Sequence, residues 1–248
     1  MRIAWFLLLM IPAASSAAEC SPVRSGPHTN ALVELYTSEG CDSCPPADRW
    51  LSAFAASPGS KLAVPIAFHV DYWDYLGWKD PYADLRYSER QRTLARVSGA
   101  RAVFTPQVML AGRDFSWRGG LGKAFEAVNA KPSAARLEIA PGKGPVARVT
   151  AALDGGVRSE DLALFVAITQ NGLVTQVKAG ENRGATLRHD FVVRDLKSQR
   201  LGSANSVEAR FDFTPRLDWQ LERMALVAFV QNTRTGEVLQ ALSAPVCP

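Results

Sequence analysis

The sequence lacks the signatures that would assign it to a common enzyme or binding class. Its 248 residues contain no phosphate-binding loop, no dinucleotide-binding fingerprint and no nucleophilic serine motif. Basic residues are scattered through both halves, and the formal net charge is only +4. Charge therefore gives no support to nucleic-acid or membrane-surface binding. The two halves share no internal repeat.

Long apolar runs are also missing, except for a short one at the N-terminus. Met1 and Arg2 precede an apolar stretch over 3–11, and small residues follow up to Ala18. This order is typical of a secretory signal peptide cleaved after Ala18. The stretch is shorter than the roughly 20 residues of a membrane-spanning helix, and no later run approaches that length. We therefore expect a periplasmic or secreted mature chain without a membrane span.

Cysteine is scarce, and its four positions form a local pair and a distant pair. Cys41 and Cys44 are close in sequence, whereas Cys20 and Cys247 lie at the two ends of the mature chain. Because disulfides persist in exported proteins, we predict a structural disulfide between Cys20 and Cys247. In the chain-entropy model, closing a loop of this length contributes about 2 to 5 kcal/mol.

The C-x-x-C pair lies between a strand pattern and a helix pattern. The run 31–37 has the aliphatic content of a buried strand, and 47–56 has the apolar spacing of a helix. Two cysteines at such a turn can close a reversible disulfide near backbone N–H groups that favour a thiolate. Pro45 and Pro46 indicate that the helix begins with a proline and that Cys44 lies outside it.

The same patterns give an order of elements for residues 31–130. Strand and helix signals alternate over five further stretches: 61–70, 85–97, 107–110, 115–117 and 121–128. The order β-α-β-α-β-β-α is the minimal arrangement of a thioredoxin-like α/β domain. Pro65 cannot donate to a sheet ladder, so we expect its strand at the sheet edge. Thr105-Pro106 precedes the strand at 107–110, where thioredoxin-like folds place a cis proline against the cysteines.

Beyond a linker at 131–133, the pattern changes to that of short strands. Seven strand-like runs are separated by Gly, Asn, Asp and Pro: 135–139, 146–153, 162–169, 187–193, 207–213, 224–231 and 238–242. They predict an all-β sandwich of immunoglobulin-like or similar topology. The predicted organisation is a signal peptide over 1–18, an extended segment over 19–30, a thioredoxin-like domain over 31–130 and a β-sandwich domain over 134–248.

Four motifs stand out along the mature chain. They are VELYTSEGCDSCPPAD at 33–48, FHVDYWDYLGWKDP at 68–81, TPQ at 105–107, and GEN at 180–182 with His189. Together they resemble a bacterial family of secreted thioredoxin-like proteins that is classed as a domain of unknown function. The resemblance covers nearly the whole mature chain and implies a thioredoxin-like domain and export. It implies no substrate, because that family has no settled activity.

We expect Cys41, on the solvent side of the turn, to be the attacking thiol and Cys44 to resolve the mixed disulfide. Thr105 and Pro106 are expected to shape the substrate groove. The alternative is a static local disulfide on a degenerate scaffold. Negative charge near the pair disfavours a thiolate, so we expect a weakly acidic Cys41 and a less oxidising disulfide. That charge comes from Glu39, Asp42 and Asp48.

Glu34 has two interpretations. It lies seven residues before Cys41, near where thioredoxin-like proteins place a buried acid that moves the resolving cysteine's proton. The alternative is a glutamate at a sheet end that faces water.

His69 also has two interpretations, together with Asp71 and Asp74 at the same strand end. With Cys41 and Cys44 it could hold copper, as in thioredoxin-like copper chaperones. Alternatively, its ring is hydrogen-bonded in the wall of the site.

Two polar and aromatic loops complete the candidate site. Tyr72, Trp73 and Trp78 form either a platform for a peptide substrate or a contact between the domains. The segment 180–184 with His189 and Asp190 is either a lid over the cysteines or an ordinary sandwich loop.

The function that we expect is an exported thiol-disulfide oxidoreductase acting on protein thiols or disulfides, without an organic cofactor. Its partners would be exported proteins or a redox partner protein, with no nucleic acid. The alternatives are a copper-binding or copper-delivery protein and a non-catalytic interaction module.

Overall fold

A computed structural model describes residues 20–56, 63–119, 122–154, 157 and 160–248. The predicted signal peptide over 1–18 lies outside them, as do residue 19, residues 61–62 of a predicted strand and residue 121 of a predicted helix. The described chain is mostly β-sheet with three α-helices: α1 (Pro45–Ala56), α2 (Leu85–Ser98) and α3 (Gly122–Asn129). None of the described helices has the length and apolarity needed to cross a membrane.

The strands number fourteen in the described residues. They are β1 (Val23–Arg24), β2 (Ala31–Thr37), β3 (Ala63–His69), β4 (Gln107–Leu110), β5 (Arg113–Phe115), β6 (Ala135–Pro141), β7 (Val146–Leu153), β8 (Leu162–Gln170), β9 (Leu173–Gln176), β10 (Thr186–His189), β11 (Val192–Arg200), β12 (Ser206–Asp212), β13 (Met224–Asn232) and β14 (Val238–Pro245).

The first half follows the order that the sequence predicted, β2-α1-β3-α2-β4-β5-α3. β2 and β3 pair in parallel, and β4 pairs antiparallel with both β2 and β5. β2 is buried along its whole length, which agrees with its run of apolar residues. α1 begins at Pro45, whose missing N–H costs nothing at the first helical position. α2 begins after Asp84, whose side chain accepts a hydrogen bond from the N–H of Arg86.

The prediction that the Pro65 strand lies at a sheet edge is wrong. β3 is an interior strand of an eight-stranded sheet with the order β14-β13-β8-β11-β3-β2-β4-β5. Its second neighbour is β11, which pairs in parallel with β3 and opposes Val192 to Ala67. This pairing lies beyond Pro65 along β3, so the proline's missing N–H is not needed there.

The junction with β11 also divides one predicted strand, 187–193, into two. Phe191, between β10 and β11, has a φ of 58°, which is uncommon for a residue with a side chain. Hydrogen bonds fix it on both sides. Its N–H donates to Asn171 Oδ1 at 2.7 Å, and its carbonyl accepts from the Ala67 N–H at 2.8 Å. The chain thus turns from the β9–β10 hairpin directly into the large sheet.

The eight-stranded sheet is covered on both faces. α2 covers one face, where Tyr87 packs in the same core as Phe68 and Phe229. On the other face, α1 and α3 cover β2, β3 and β4. A four-stranded sheet, β1-β6-β7-β12, packs over β8, β13 and β14. The predicted sandwich therefore shares its larger sheet with the first half, since this sheet contains strands from both sides of the predicted linker at 131–133.

The termini of the described chain are joined. Cys20 and Cys247 form a disulfide with a Cα–Cα distance of 5.6 Å. The N–H of Gly144 donates to the carbonyl of Cys247 at 2.7 Å, which holds the C-terminal end against the β6–β7 turn. β1, shortly after Cys20, pairs with β6 in the same small sheet.

A buried ion pair connects the two halves beneath α2. Arg90 Nε donates to Glu34 Oε2 at 2.8 Å, and Arg90 Nη2 donates to Gln231 Oε1 at 3.0 Å. The guanidinium carbon lies 4.9 Å from the ring centre of Phe165 and 5.1 Å from that of Phe229. The Glu34 side chain is fully buried, and Arg90 is the positively charged group that pairs with it.

Arg90→Leu should lower the free energy of unfolding by about 3 to 5 kcal/mol, because Glu34 would remain buried without a counter-charge. Chemical denaturation checks this value. The matched control is Arg96→Leu, an exposed position on the same helix, where a change of about 0.5 kcal/mol or less is expected. Replacing Glu34 and Arg90 together by leucine should recover most of the loss. Equal losses in the two arginine variants would contradict the assignment.

Candidate functional site

The cysteines lie in a tight turn between β2 and α1. The N–H of Cys41 donates to the carbonyl of Ser38 at 3.2 Å, and the N–H of Cys44 donates to that of Cys41 at 3.3 Å. The two sulfurs form a disulfide with a Cα–Cα distance of 5.5 Å. Cys44 immediately precedes Pro45, the first residue of α1. The turn therefore presents the disulfide at the N-terminal end of that helix.

The sequence suggested that Cys41 lies on the solvent side of the turn, but in the structure this residue is buried. Cys41 and Cys44 both have 0% exposure, although Asp42 and Ser43 between them are exposed. Gly40 contributes to this close packing, because a Cβ at that position would lie 2.9 Å from Trp73 Cβ. The disulfide is therefore covered in this conformation.

Part of the cover is the segment 177–185, which connects β9 to β10 and is called here the covering loop. Asn182 Nδ2 donates to the carbonyls of Glu39 and Cys41, at 2.9 and 2.8 Å. The N–H of Asp42 donates to Glu181 Oε2 at 3.1 Å. The covering loop is thus hydrogen-bonded directly to the C-x-x-C turn.

Three aromatic side chains of the 71–81 loop, Tyr72, Trp73 and Trp78, form hydrogen bonds around the site. Trp73 Nε1 donates to Thr105 Oγ1 at 2.7 Å, and Trp78 Nε1 donates to Glu39 Oε2 at 2.8 Å. The hydroxyl of Tyr72 donates to Gln91 Oε1 at 3.1 Å. These three residues are half-buried, whereas Tyr75 of the same loop is 79% exposed. They support the C-x-x-C turn and the Thr105 loop and do not stand out as an exposed platform.

A groove adjoins the C-x-x-C turn on the side of Thr105 and Pro106, whose connecting peptide bond is cis. Its volume is about 380 Å³. Residues that line it include Ser43, Phe104, Thr105, Pro106, Phe115 and Trp117. Phe104 is 47% exposed, so the groove offers an aromatic surface to solvent beside the turn.

Glu34 is buried, but on the face of β2 opposite to α1. Leu35 and Val33 pack with α1, whereas the side chain of Glu34 points to α2 and pairs with Arg90. Alternate residues of a strand face opposite sides, so Glu34 cannot share the α1 face with the cysteines. Neither interpretation of Glu34 from the sequence describes this position.

His69 lies in the wall of the site, fully buried. Its Nδ1 is 2.7 Å from Asp80 Oδ2, and Asp80 also accepts the Glu39 N–H at 2.8 Å. Burial is the largest single effect and lowers the pKa of His69, but the carboxylates of Asp80, Asp48 and Glu39 together raise this pKa above its ordinary value. Burial is also the largest single effect on Asp80 and raises its pKa, but His69 and the backbone N–H groups of Glu39 and Tyr82 together bring this pKa below its ordinary value. The pair is therefore favoured in its charged form.

Asp71 and Asp74, which the sequence grouped with His69, have other partners. Asp71 accepts a hydrogen bond from the hydroxyl of Ser88, and Asp74 accepts one from the N–H of Asp80. The nearest acidic partner of His69 is Asp80, which sequence reasoning missed. Its place in the motif at 68–81 was the available signal.

A second buried histidine comes from the other half of the chain. His189 of β10 has its ring centre 4.8 Å from that of His69. Its Nε2 lies 3.2 Å from Glu39 Oε1, and its Nδ1 lies 3.8 Å from Asp48 Oδ2. We call the buried set of Glu39, Asp48, His69, Asp80 and His189 the His–carboxylate cluster.

The cluster leaves two ring nitrogens without hydrogen-bond partners among the described residues, His69 Nε2 and His189 Nδ1. Even so, no three His, Cys, Asp or Glu side chains in the described part of the chain are arranged to hold a metal ion. Cys41 and Cys44 are bonded to each other, and His69 Nδ1 is already paired with Asp80. The copper interpretation thus finds no ready-made set of ligands in the described residues.

Two solved structures share this fold. Protein AGR_C_4864 from Agrobacterium tumefaciens has 21% identity and a TM-score of 0.65, over 90% of this chain and 97% of its own. HBP35 of Porphyromonas gingivalis has 15% identity and a TM-score of 0.66, over 88% of this chain and 76% of its own. At these identities the likeness shows the fold alone. No curated protein matches the chain.

The chain also matches a protein family over the region that contains the motifs around the site. A family model described as "Protein of unknown function (DUF1223)" matches residues 32–231, which include the C-x-x-C turn, the 71–81 loop, the covering loop and His189. The resemblance to a family classed as a domain of unknown function is thereby confirmed. The chain belongs to the family described as protein of unknown function, DUF1223.

Proposed function

We propose that the protein is an exported thiol-disulfide oxidoreductase whose first half works as a thioredoxin-like domain. The observation that carries the proposal is the Cys41–Cys44 disulfide at the start of α1, next to a groove lined by Ser43, Thr105 and Pro106. A disulfide closed by a C-x-x-C turn at a helix N-terminus can be opened and re-formed, because the helix end stabilises a thiolate. The groove gives an extended substrate a place beside it.

The reaction exchanges bonds among four sulfur atoms, two from the protein and two from the substrate, and it conserves atoms and electrons. Starting from the oxidised protein, a substrate thiolate attacks Cys41 Sγ, and the Cys41–Cys44 bond breaks with Cys44 leaving as a thiolate. A second substrate thiolate then attacks the substrate sulfur of the mixed disulfide. The substrate disulfide forms, and Cys41 leaves as a thiolate. Two electrons pass from the substrate thiols to the cysteine pair, and the reverse sequence oxidises the protein.

Access requires movement, because both sulfurs are covered in the oxidised structure. The covering loop is one element that moves to uncover Cys41, since Asn182 holds this loop to the Cys41 carbonyl. Loops fixed by a few hydrogen bonds open at a small fraction of the cost of global unfolding. A loop that opens only part of the time would restrict exchange to partners that are able to displace it.

We also propose that the protein is exported from the cytoplasm. The N-terminal pattern is that of a signal peptide, and the structure contains two disulfides, Cys20–Cys247 and Cys41–Cys44. Disulfides are typical of oxidising compartments outside the cytoplasm. The proposed partners are therefore exported proteins with thiols or disulfides, or a redox protein that recycles the pair.

The first test is oxidation of a peptide that carries two cysteines, followed by mass spectrometry. The oxidised protein should convert the peptide to its disulfide, whereas Cys41→Ser should lose the activity because no mixed disulfide can form. The matched control replaces both Cys20 and Cys247 by serine and should keep the exchange. An unaltered rate in Cys41→Ser, or loss of exchange only in the terminal double variant, would reject the proposal.

The second test concerns the covering loop. Asn182→Ala removes two hydrogen bonds to the C-x-x-C turn, which together are worth about 1 to 3 kcal/mol. We expect reduction of the Cys41–Cys44 disulfide by dithiothreitol to become about tenfold faster, since about 1.4 kcal/mol corresponds to that factor. Arg183→Ala, at an exposed position of the same loop, is the control. Equal reduction rates in both variants would show that the loop does not limit access.

A further inference from the structure

The groove beside the C-x-x-C turn continues into a second cavity of about 420 Å³, since Phe104 and Asp114 line both cavities. Ser43 of the C-x-x-C turn lines the first cavity, and Arg101 lines the second. One wall of the continuous groove is the loop 99–106 between α2 and β4, and the other is β5 with the turn that follows it. The groove is thus larger than a pocket for one side chain and accommodates an extended segment of a protein substrate.

The loop wall of this groove exposes apolar side chains on a fixed backbone. Val103 is 39% exposed and Phe104 is 47% exposed. Two fully buried glutamines hold their loop, because Gln91 Nε2 donates to the carbonyl of Phe104 at 2.8 Å and Gln107 Nε2 donates to that of Ala102 at 3.3 Å. A surface that is already ordered loses little conformational entropy on binding. The exposed apolar groups therefore favour a segment that carries an apolar side chain.

Positive charge predominates along the groove. Its charged lining residues are all exposed and comprise three arginines and one aspartate: Arg101, Arg113, Arg118 and Asp114. The guanidinium of Arg118 lies over the ring of Trp117, 4.9 Å from its centre, and Arg113 Nη1 donates to the carbonyl of Ser98 at 3.3 Å. These contacts orient two of the arginines, but an aromatic ring and a carbonyl do not neutralise a positive charge.

The charge of these arginines is not balanced within the protein. In the described part of the chain, none of the three forms an ion pair with a carboxylate. The carboxylate of Asp114 accepts a hydrogen bond from Gln107 Nε2 at 3.2 Å instead. Exposed arginines of the small sheet differ, since Arg148, for example, pairs with Glu208 at 2.7 Å. The groove therefore offers guanidinium groups to the carboxylates of a bound molecule.

We infer that this groove, called here the arginine groove, recognises an extended acidic segment next to the cysteine of a substrate protein. An apolar side chain of the segment packs against Phe104, and its carboxylates bind Arg101, Arg113 and Arg118. Arginine suits this role, because its planar guanidinium can donate two parallel hydrogen bonds to one carboxylate. Positive charge around the groove also speeds encounter with an acidic segment. The inference rests on the proposed oxidoreductase function and adds its substrate class.

The experiment compares three peptides that each contain two cysteines and a phenylalanine. They differ only at two positions next to the first cysteine, which hold glutamate, glutamine or lysine. The rate constant for oxidation of each peptide by the oxidised protein is divided by that for its oxidation by bis(2-hydroxyethyl) disulfide. This small disulfide is uncharged, so the ratio removes the effect of the peptide's own charge on its thiols.

At an ionic strength of about 0.01 M, we expect the corrected rate constant of the glutamate peptide to be about tenfold higher than that of the lysine peptide. The glutamine peptide should lie between them. The difference should fall below about twofold at about 1 M, where the Debye length is only about 3 Å. Equal corrected rates for the three peptides at low ionic strength would overturn the inference alone. Failure of the protein to oxidise the glutamine peptide would instead defeat the proposed function.

The variant that tests the arginine groove replaces Arg101, Arg113 and Arg118 together by glutamine. Its corrected rate for the glutamate peptide should fall to that for the glutamine peptide, because no guanidinium remains to bind the added carboxylates. Circular dichroism checks that the variant is folded. A preference for the glutamate peptide that persists in the folded variant would overturn the inference.

The matched control replaces Arg136, Arg148 and Arg210 by glutamine. These exposed arginines lie on β6, β7 and β12, in the sheet that does not contain β5, and their removal changes the net charge by the same amount. We expect the control to keep the preference for the glutamate peptide. Loss of the preference in both triple variants would show that net charge, and not the arginine groove, selects the substrate.

Phe104→Ala tests the apolar contact separately. It should lower the corrected rates of all three peptides by a similar factor of about five, since about 1 kcal/mol of apolar burial corresponds to that factor. The ratio between the glutamate and lysine peptides should stay the same. Unchanged rates for all three peptides would contradict the contact with Phe104.

Discussion

The pairing of β3 with β11 is the constraint on which the rest of the molecule depends. Only one pair of residues, Val192 and Ala67, is in register there, and the N–H of Ala67 donates to the carbonyl of Phe191. That short contact makes a single eight-stranded sheet from strands that lie far apart in sequence. It also fixes where β10 ends, since Phe191 is the residue between β10 and β11.

The candidate site is composite as a result. The cysteines and His69 come from the first half of the chain, whereas Asn182 and His189 come from the β9–β10 hairpin of the second half. The hairpin both covers the disulfide and completes the His–carboxylate cluster beneath it. In the proposed mechanism the second half therefore helps to control access to Cys41.

Local sequence patterns predicted the elements well, because periodicity and proline position act over a few residues. The start of α1 at Pro45, the extent of α2 and most strands of the second half follow from them. Local patterns cannot predict which strands pair when these strands lie far apart in the sequence. Pro65 suggested an edge strand because nothing local shows that β11 pairs only beyond it. β9 was missed, since its four residues are too short for a clear pattern.

Among the site residues, too, local patterns predicted some positions and missed those that depend on contacts between distant parts of the chain. Motif spacing predicted that Thr105 and Pro106 lie near the cysteine pair, and both residues line the groove beside the C-x-x-C turn. It did not reveal that Cys41 is covered, because part of the cover comes from residues about 140 positions away. Glu34 was assigned to the cysteines by its distance along the chain, but strand alternation turns it to Arg90. The sequence predicted Asp48 only as a negative charge near the cysteines, because nothing local shows that His189 lies beside it.

We propose that Cys41 and Cys44 form a reversible redox pair, distinct from the structural disulfide Cys20–Cys247. The most direct measurement is the reduction potential of each disulfide in graded glutathione or dithiothreitol buffers, with the cysteines resolved by peptide mapping. We expect the Cys41–Cys44 pair to cycle reversibly with a reduction potential between about −270 and −180 mV, while Cys20–Cys247 stays oxidised over that range. A Cys41–Cys44 pair that never cycles, or that is reduced only together with the terminal disulfide, would contradict the proposal.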